Sequence, residues 1–462
     1  MTRRTAIRTV TAILLIAATL IFRPDRAIQG ATGNVAQSLC SEVFVSGLPE
    51  ARVYAQGLAP NPGVKLLGPL LRHKLDRTQR AVEASWAGLF ASRSTYRGAA
   101  GCRLVYGKPP EPAPVLVPPT LRPDSLAGPA PVETDNPALN AALDHVFAEP
   151  AKPPHRWVRA VVIVQHGKIV AERYAPGVGV DTPLLGYSAS KTAINALAGV
   201  LVRQGRLDVD APAPVAAWKP GDARRAITLD NLLRMTSGLA VEETDSGFDP
   251  TSRMMFVEPD MAAFAASRRL KARPGERFDY ASPNTLIAAS IVRQKVGGSE
   301  ADVLNFARRE LFDPLGMRGV VFETDAAGTP IGSTRMLAPA RDWARLGLLY
   351  LHDGVVDGRR ILPEGWVTYS TRPTLGSDYG AGLWTNAGEA RNAKDRVRAG
   401  MPRDAYFASG RLGQRVYVLP SQDLVIVRMG ATWSPDFDIA GDLRLIRETI
   451  AALPARSCGH LT

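Results

Sequence analysis

The sequence predicts an α/β (α+β) fold, in which helices flank one antiparallel sheet and a helical insertion lies between the first and last strands of that sheet. Two pairs of β-rich segments carry this prediction, residues 157–165 with 168–174 and residues 415–419 with 424–429. A short turn-forming stretch separates the members of each pair, so each pair is predicted to form a hairpin. A helical stretch at 439–453 follows the second hairpin. Terminal hairpins with helices between them are typical of a sheet covered by helices.

The helices between the two hairpins are predicted from apolar residues that recur at helical spacing. They cover residues 192–203, 229–235, 261–268, 284–294, 301–311 and 338–352. His166, followed by a glycine, lies in the turn of the first hairpin, so we interpret it as a turn residue rather than as a catalyst.

The chain has 462 residues, 45% of them hydrophobic and 22% charged, which predicts two or three globular units. Residues 1–30 form an export signal or membrane anchor, and residues 31–108 form an N-terminal module of unknown role with an amphipathic helix at 66–90. Residues 109–135 contain nine prolines and are predicted to be an extended linker. Residues 136–455 form the α/β unit.

The first residues predict export from the cytoplasm. Arg3, Arg4 and Arg8 precede an apolar run at residues 10–22, which is short for a membrane-spanning helix and typical of an export signal. An Arg-Pro-Asp-Arg sequence at 23–26 occupies the usual cleavage region, so an uncleaved anchor in the inner membrane stays open beside a cleaved signal. We therefore expect a periplasmic protein that is either released or anchored through its N-terminal segment.

The chain has three cysteines. Cys40 and Cys102 bracket the N-terminal module, so a disulfide between them is predicted in an oxidising compartment, worth about 3 to 4 kcal/mol. Two unpaired buried thiols are the alternative. We assign Cys458 no role.

The formal net charge of +12 is spread along the chain without a long basic block, so no nucleic-acid partner is predicted. The histidines and cysteines show no metal-ligand spacing, and no metal or cofactor is expected. The composition also excludes collagen, coiled-coil and transporter classes.

The sequence Tyr-Ser-Ala-Ser-Lys-Thr at 187–192 precedes an apolar helical pattern, so Ser188 and Lys191 are predicted to share one face at the start of a helix. A serine hydroxyl is a weak nucleophile until a base takes its proton, and a lysine amine in its neutral form can be that base. The N–H groups at the helix start can stabilise an oxyanion. A helix cap beside a solvated lysine is the alternative interpretation.

A Gly-x-Ser-x-Gly elbow is nearly matched from Gly186, but Ser190 stands where its last glycine would be. Such an enzyme also needs an acid and a histidine further along the chain. Only His352 and His460 follow Ser188, and His352 is predicted to end a helix. We disfavour this alternative.

Several ordered motifs after residue 150 resemble the serine β-lactamase-related hydrolases, especially the class C-like branch with its esterases and 6-aminohexanoate-dimer hydrolases. Beyond Ser188 and Lys191, the resemblance includes Thr-Leu-Asp-Asn-Leu-Leu-Arg-Met-Thr-Ser-Gly-Leu at 228–239 and Pro-Gly-Glu-Arg-Phe-Asp-Tyr-Ala-Ser-Pro-Asn at 274–284. Residues 340–347 and 360–366 are also similar to segments of the family. The resemblance spans about 300 residues and implies the β-lactamase/DD-peptidase-like fold.

The resemblance implies that Ser188 is the acylated nucleophile, Lys191 its base and Tyr280 a second proton relay. A core tyrosine is the alternative for Tyr280. Trp384 is similar to an aromatic residue that lines the family's substrate pocket, although a core tryptophan is an equally good interpretation.

The family's third element, Lys/His-Thr/Ser-Gly, is matched only by Ala408, Ser409 and Gly410. Ser409 and Gly410 are therefore candidates for substrate and oxyanion contacts, and a strand-entry turn is the alternative. The missing cation disfavours β-lactam turnover, and Arg411 is a candidate substitute.

We therefore expect an exported serine hydrolase that cleaves a small amide or ester through an acyl-enzyme. The alternatives are a β-lactamase or DD-peptidase acting on the cell wall, and a non-catalytic relative that binds peptidoglycan.

Overall fold

A computed structural model describes residues 23–107, 112–120, 126–244, 246–433 and 436–453. The strands are β1 Leu71–Asp76, β2 Ala81–Trp86, β3 Leu89–Tyr96, β4 Cys102–Val105, β5 Val158–Gln165, β6 Lys168–Tyr174, β7 Leu184–Leu185, β8 Val321–Phe322, β9 Met336–Ala338, β10 Val355–Val356, β11 Arg359–Arg360, β12 Trp384–Thr385, β13 Tyr406–Gly410, β14 Gln414–Leu419 and β15 Leu424–Gly430.

The α-helices of the described residues occur mainly before β1 and between β7 and β8. They are α1 Pro24–Cys40, α2 Glu50–Val53, α3 Pro62–Leu67, α4 Pro137–Phe147, α5 Ser190–Arg203, α6 Leu229–Leu233, α7 Pro250–Val257, α8 Met261–Ala266, α9 Ser282–Lys295, α10 Glu300–Ala307, α11 Ala340–Leu351, α12 Trp366–Thr371, α13 Arg391–Arg398 and α14 Ile439–Ala452.

The central sheet has the strand order β12-β13-β14-β15-β5-β6, and every neighbouring pair is antiparallel. Side chains alternate across it, as strand geometry requires: Val162 and Val164 belong to the larger core, whereas Val161 and Ile163 face α4 and α14. Helix α11 covers the opposite face of the sheet. The predicted fold class and both predicted hairpins are confirmed.

The helical insertion follows α5 and contains α6 to α10. Helix α9 packs against α5 and α6, which brings the segment before α9 to the start of α5. Thr228 begins α6 with a capping box in which Asn231 is the reciprocal partner, so this part of the predicted motif forms the expected short helix.

The predicted helix at 66–90 is wrong, because β1, β2 and part of β3 occupy this region. Tight turns separate these strands, and Arg80, Ala87 and Gly88 all have positive φ there. Together with β4 these strands form a four-stranded antiparallel sheet that packs against α1. We call residues 24–107 the N-terminal unit.

The predicted disulfide joins Cys40, at the end of α1, to Cys102 in β4. Helix α1 runs continuously across position 30, where the sequence suggested a boundary, so residues 24–30 are part of this unit. The unit is held to the α/β domain by buried polar contacts. Glu323 accepts hydrogen bonds from Gln37 Nε2, from Ser41 Oγ and from the Cys102 N–H.

The described residues of the proline-rich stretch, 112–120 and 126–135, contain no helix or strand. They lie against the α/β domain: the Val117 N–H donates to Asn305 Oδ1 at 2.8 Å, and Arg341 donates to the carbonyls of Gly128 and Ala130.

Among the described residues, no helix is both long and apolar enough to cross a bilayer. The apolar run at residues 10–22 lies outside the described residues.

Candidate active site

Ser188 lies in a 3₁₀ turn, Tyr187–Ala189, that leads directly into α5. Tyr187 has φ +45°, a left-handed conformation that costs energy for a residue with a side chain and that is found preferentially at functional sites. Gly186 precedes it, and a Cβ there would lie 2.2 Å from the ring of Trp343. Only glycine lets this turn approach the tryptophan so closely, which fixes the position of Ser188.

Lys191 Nζ lies 3.0 Å from Ser188 Oγ, 3.1 Å from Ser282 Oγ and 3.1 Å from the carbonyl oxygen of Ser333. The lysine is only 2% exposed, and within the described part of the chain it forms no ion pair with a carboxylate. These three oxygen atoms can bond to the Lys191 amine in both its protonated and its neutral form. The ammonium ion donates three hydrogen bonds, whereas the neutral amine donates two and turns its lone pair to the third neighbour.

Tyr280 lies beside this pair, in the segment that leads into α9. Lys191 Nζ is 4.9 Å from the centre of the Tyr280 ring. The ring packs edge-on against Tyr379 at 5.3 Å and lies 5.4 Å from Trp384, measured between ring centres. Tyr280 and Trp384 line the same cavity as Ser188.

The neighbouring tyrosines are held in their protonated form. Burial raises the pKa of Tyr187 to about 12 and that of Tyr379 well above its ordinary value. Near neutral pH these two phenols therefore stay protonated.

Ser409 and Gly410 end β13 and also line the cavity. A Cβ on Gly410 would lie 2.1 Å from the carbonyl oxygen of Gly186 and 3.1 Å from the Ser188 nitrogen, so the end of this strand contacts the turn that carries Ser188. This contact brings backbone from two segments to one place, as an oxyanion site requires. The strand-entry turn considered above is not what forms here, since these residues belong to the strand itself.

Ala408 is buried in β13 and does not line the cavity. Arg411 does line it, and its guanidinium lies 5.2 Å from the centre of the Trp433 ring.

The site also contains residues that motif analysis did not select. Ser282 forms the third side of the Ser188 and Lys191 cluster, and its own N–H donates to Glu243 Oε2. Glu243 lies on the cavity wall. The Tyr-Ala-Ser sequence at 280–282 hinted at Ser282, whereas nothing in the local sequence pointed to Glu243.

The cavity has a volume of about 520 Å³, within the range of small-molecule sites. The N-terminal unit forms one of its walls through α1 and residues 57–67. Within the described ranges, no group of three or more His, Cys, Asp or Glu side chains could hold a metal ion.

Two residues that the sequence suggested as turn or cap positions lie outside the cavity. His166 sits in the turn between β5 and β6 with Nδ1 2.8 Å from Asp423 Oδ2, and His352 caps the C-terminus of α11.

The fold and this arrangement define a serine hydrolase. The family model described as Beta-lactamase matches residues 148–451, about two thirds of the chain, and the protein belongs to that family. The resemblance inferred from the motifs is thereby confirmed.

Relatives of known name or structure agree with this assignment. The 6-aminohexanoate-dimer hydrolase of Paenarthrobacter ureafaciens is 25% identical over 296 residues, which cover 60% of this chain and 73% of the relative. A penicillin-binding protein homologue from Caulobacter crescentus has a TM-score of 0.53 at 19% identity and covers 71% of this chain and 99% of its own. A family VIII carboxylesterase also has a TM-score of 0.53, at 15% identity, with coverage of 71% and 99%.

Proposed function

We propose that this protein is an exported serine hydrolase that cleaves a small amide or ester through an acyl-enzyme on Ser188. One observation carries the proposal: the Ser188 hydroxyl lies 3.0 Å from a buried lysine amine whose hydrogen-bond partners, among the residues that the structure describes, are neutral oxygens. The names of the relatives support the substrate class, since one hydrolyses an amide dimer and another is a carboxylesterase.

In the proposed mechanism, protons move between Ser188, Lys191 and Tyr280. Neutral Lys191 donates to Ser282 Oγ and to the Ser333 carbonyl, and its lone pair accepts the proton of Ser188 as Oγ attacks the substrate carbonyl carbon. The resulting ammonium keeps all three neighbours as acceptors. N–H groups of the nucleophile turn and of the adjacent end of β13 stabilise the oxyanion.

Collapse of this intermediate breaks the bond to the leaving group, which must take up a proton. Tyr280 lies beside Lys191 and lines the cavity, so it is the proposed relay that delivers that proton from the ammonium. Water then attacks the acyl-enzyme carbonyl and gives one proton to the same groups, which pass it to Ser188 Oγ as the bond between Oγ and the acyl carbon breaks.

Export is supported by the disulfide of the N-terminal unit, because such bonds persist in oxidising compartments such as the periplasm. The arginines and the apolar run before residue 23 support either a cleaved signal or an anchor.

The proposal is tested with the purified full-length chain and a fluorophosphonate probe, with the adduct located by peptide mass spectrometry. The full chain is required because Pro24, Ala27, Ile28 and Gly30 line the cavity. We expect a stoichiometric adduct on Ser188, lost in Ser188→Ala and slowed by several orders of magnitude in Lys191→Ala. Lys219→Ala is the matched control, since Lys219 is exposed and lies outside the cavity.

Absence of an adduct on the folded protein would overturn the acyl-enzyme mechanism and favour the non-catalytic relative. An adduct on a different serine would show that the nucleophile is assigned wrongly. Turnover of a chromogenic cephalosporin at a rate comparable to that of simple esters would favour the cell-wall alternative.

The double variant gives a second test. Ser188→Ala with Lys191→Ala should be no slower in ester hydrolysis than either single variant, because the two residues act as one unit. Additive losses would contradict that coupling.

A further inference from the structure

One wall of the catalytic cavity is built by the N-terminal unit. The α1 residues on this wall include Ala27, Ile28, Ala31 and Asn34, which are related by steps of three or four residues (27 to 31, 28 to 31 and 31 to 34). Residues at this spacing lie on one face of a helix. Other side chains of α1 contact the sheet of the same unit, where Thr32 Oγ1 donates to the Phe90 carbonyl.

A second segment of the unit continues this wall. Leu58, Val64 and Leu67 line the cavity from the stretch between α2 and the end of α3. The cavity-lining residues of the unit include no charged side chain. Met255 and Phe256 of α7 contribute further apolar surface from the α/β domain.

Exposed apolar side chains stand at the rim of the cavity. Leu66, from the N-terminal unit, is 84% exposed, and Phe248, from the α/β domain, is 59% exposed. Large apolar side chains that face water cost free energy unless a ligand or partner covers them. Both side chains line the cavity that also contains Ser188, where a bound substrate would cover them.

The wall is a fixed part of the site. A Cβ on Gly33 would lie 2.8 Å from the Phe256 carbonyl oxygen, so α1 and α7 are in backbone contact beside the cavity. The buried ion pair between Glu42 and Arg159 joins the end of α1 to the central sheet. The apolar surface is therefore present before substrate arrives.

We propose that this wall is a subsite for an apolar chain of the substrate, so that the preferred substrates are esters or amides carrying a medium-length aliphatic chain. The inference rests on the proposed function, because it assumes that Ser188 is acylated. It goes further by assigning substrate selection to α1 and residues 57–67, which lie outside the part of the chain that matches the family.

The test uses the full-length protein and p-nitrophenyl esters from acetate to decanoate, with a parallel series of acetate esters of straight-chain alcohols. Complete burial of one methylene group raises kcat/KM about fourfold. We expect kcat/KM to rise at least about tenfold from butyrate to octanoate, or over the same increase in length in the alcohol series.

Ala31→Phe places a ring on the wall and should lower the ratio of octanoate to acetate kcat/KM about tenfold or more. Ile28→Ala removes bulk from the same face and should shift the preferred chain to a longer one. Ala91→Phe is the matched control: Ala91 is exposed on β3, outside the cavity, and this variant should keep the wild-type ratio.

Thermal unfolding establishes that each variant is folded. If Ala31→Phe does not fold, Ala31→Val and Ile28→Ala still change the wall in opposite directions and decide the question. Equal kcat/KM across both ester series, or an unchanged ratio in folded wall variants, would overturn the subsite.

Acetate ester hydrolysis and fluorophosphonate labelling distinguish failure of the apolar subsite from failure of the proposed hydrolase function. Labelling of Ser188 and acetate turnover without chain-length preference would refute the subsite alone. Lack of both labelling and turnover would refute the hydrolase.

Discussion

Ser282→Ala tests the catalytic cluster at a residue that is neither nucleophile nor base. The side-chain oxygen of Ser282 contacts Lys191 Nζ at 3.1 Å. When Lys191 holds the proton of Ser188, this contact becomes a hydrogen bond from an ammonium, and such bonds contribute about 1.5 to 3 kcal/mol. Loss of that amount from the transition state corresponds to a decrease in kcat of about 10- to 150-fold.

The assay measures the steady-state hydrolysis of p-nitrophenyl acetate, and the pH dependence of kcat serves as a second readout. If Ser282 stabilises the protonated lysine, the Ser282→Ala variant has a lower kcat. The pH dependence of its kcat is also shifted, because the acid–base behaviour of the cluster has changed. Ser290→Ala is the matched control on the same helix, where Ser290 accepts a hydrogen bond from Gln294 Nε2 at 3.4 Å. A kcat within about twofold of wild type, with an unmoved profile, would refute this reasoning.

Three further predictions concern the relay and the framework. Tyr280→Phe should slow ester hydrolysis while leaving the thermal unfolding midpoint nearly unchanged, and loss of folding would instead indicate a core tyrosine. Replacement of Cys40 and Cys102 by serine should lower the free energy of unfolding by about 4 kcal/mol in urea denaturation, because the bond closes a loop of 62 residues, with Cys458→Ser as control. Burial raises the pKa of Asp325 to about 6, so the folded state binds this proton more tightly than the unfolded chain does, and stability should fall by about 2 kcal/mol as pH rises from 4 to 6. Urea denaturation across that range should show a smaller pH dependence in Asp325→Asn, and an equal slope in both proteins would contradict the assignment.

The parts of the fold that could be predicted are those whose signal is local. Strands β5, β6, β14 and β15 are continuous β-rich runs, and α5 begins where the apolar helical pattern begins. The first sheet was missed because apolar residues of its strands are spaced as they would be on a helix. Leu71 and Leu75 in β1, and Val82 and Trp86 in β2, are four residues apart, which is also the spacing of an amphipathic helix.

The residues of the candidate site also fall into those with a local sequence signal and those without one. Ser188 and Lys191 are three residues apart on one helix, so their contact follows from helix geometry. Tyr280 was accessible only through its resemblance to a family motif. Ser282 was only hinted at by the same motif, and Glu243, in the loop before α7, reaches the site through its contact with the Ser282 N–H, which no local sequence pattern encodes.

The position of Arg411 links the missing cation of the third element to the N-terminal unit. Its guanidinium lies over Trp433, whose indole N–H donates to the Gln56 carbonyl at 2.8 Å. This arginine, which lines the cavity, therefore rests on a ring that the N-terminal unit contacts. The same unit supplies the apolar wall. Because one accessory unit contributes to both surroundings of Ser188, we expect changes in this unit to alter substrate selection while Ser188, Lys191 and Tyr280 are left unchanged.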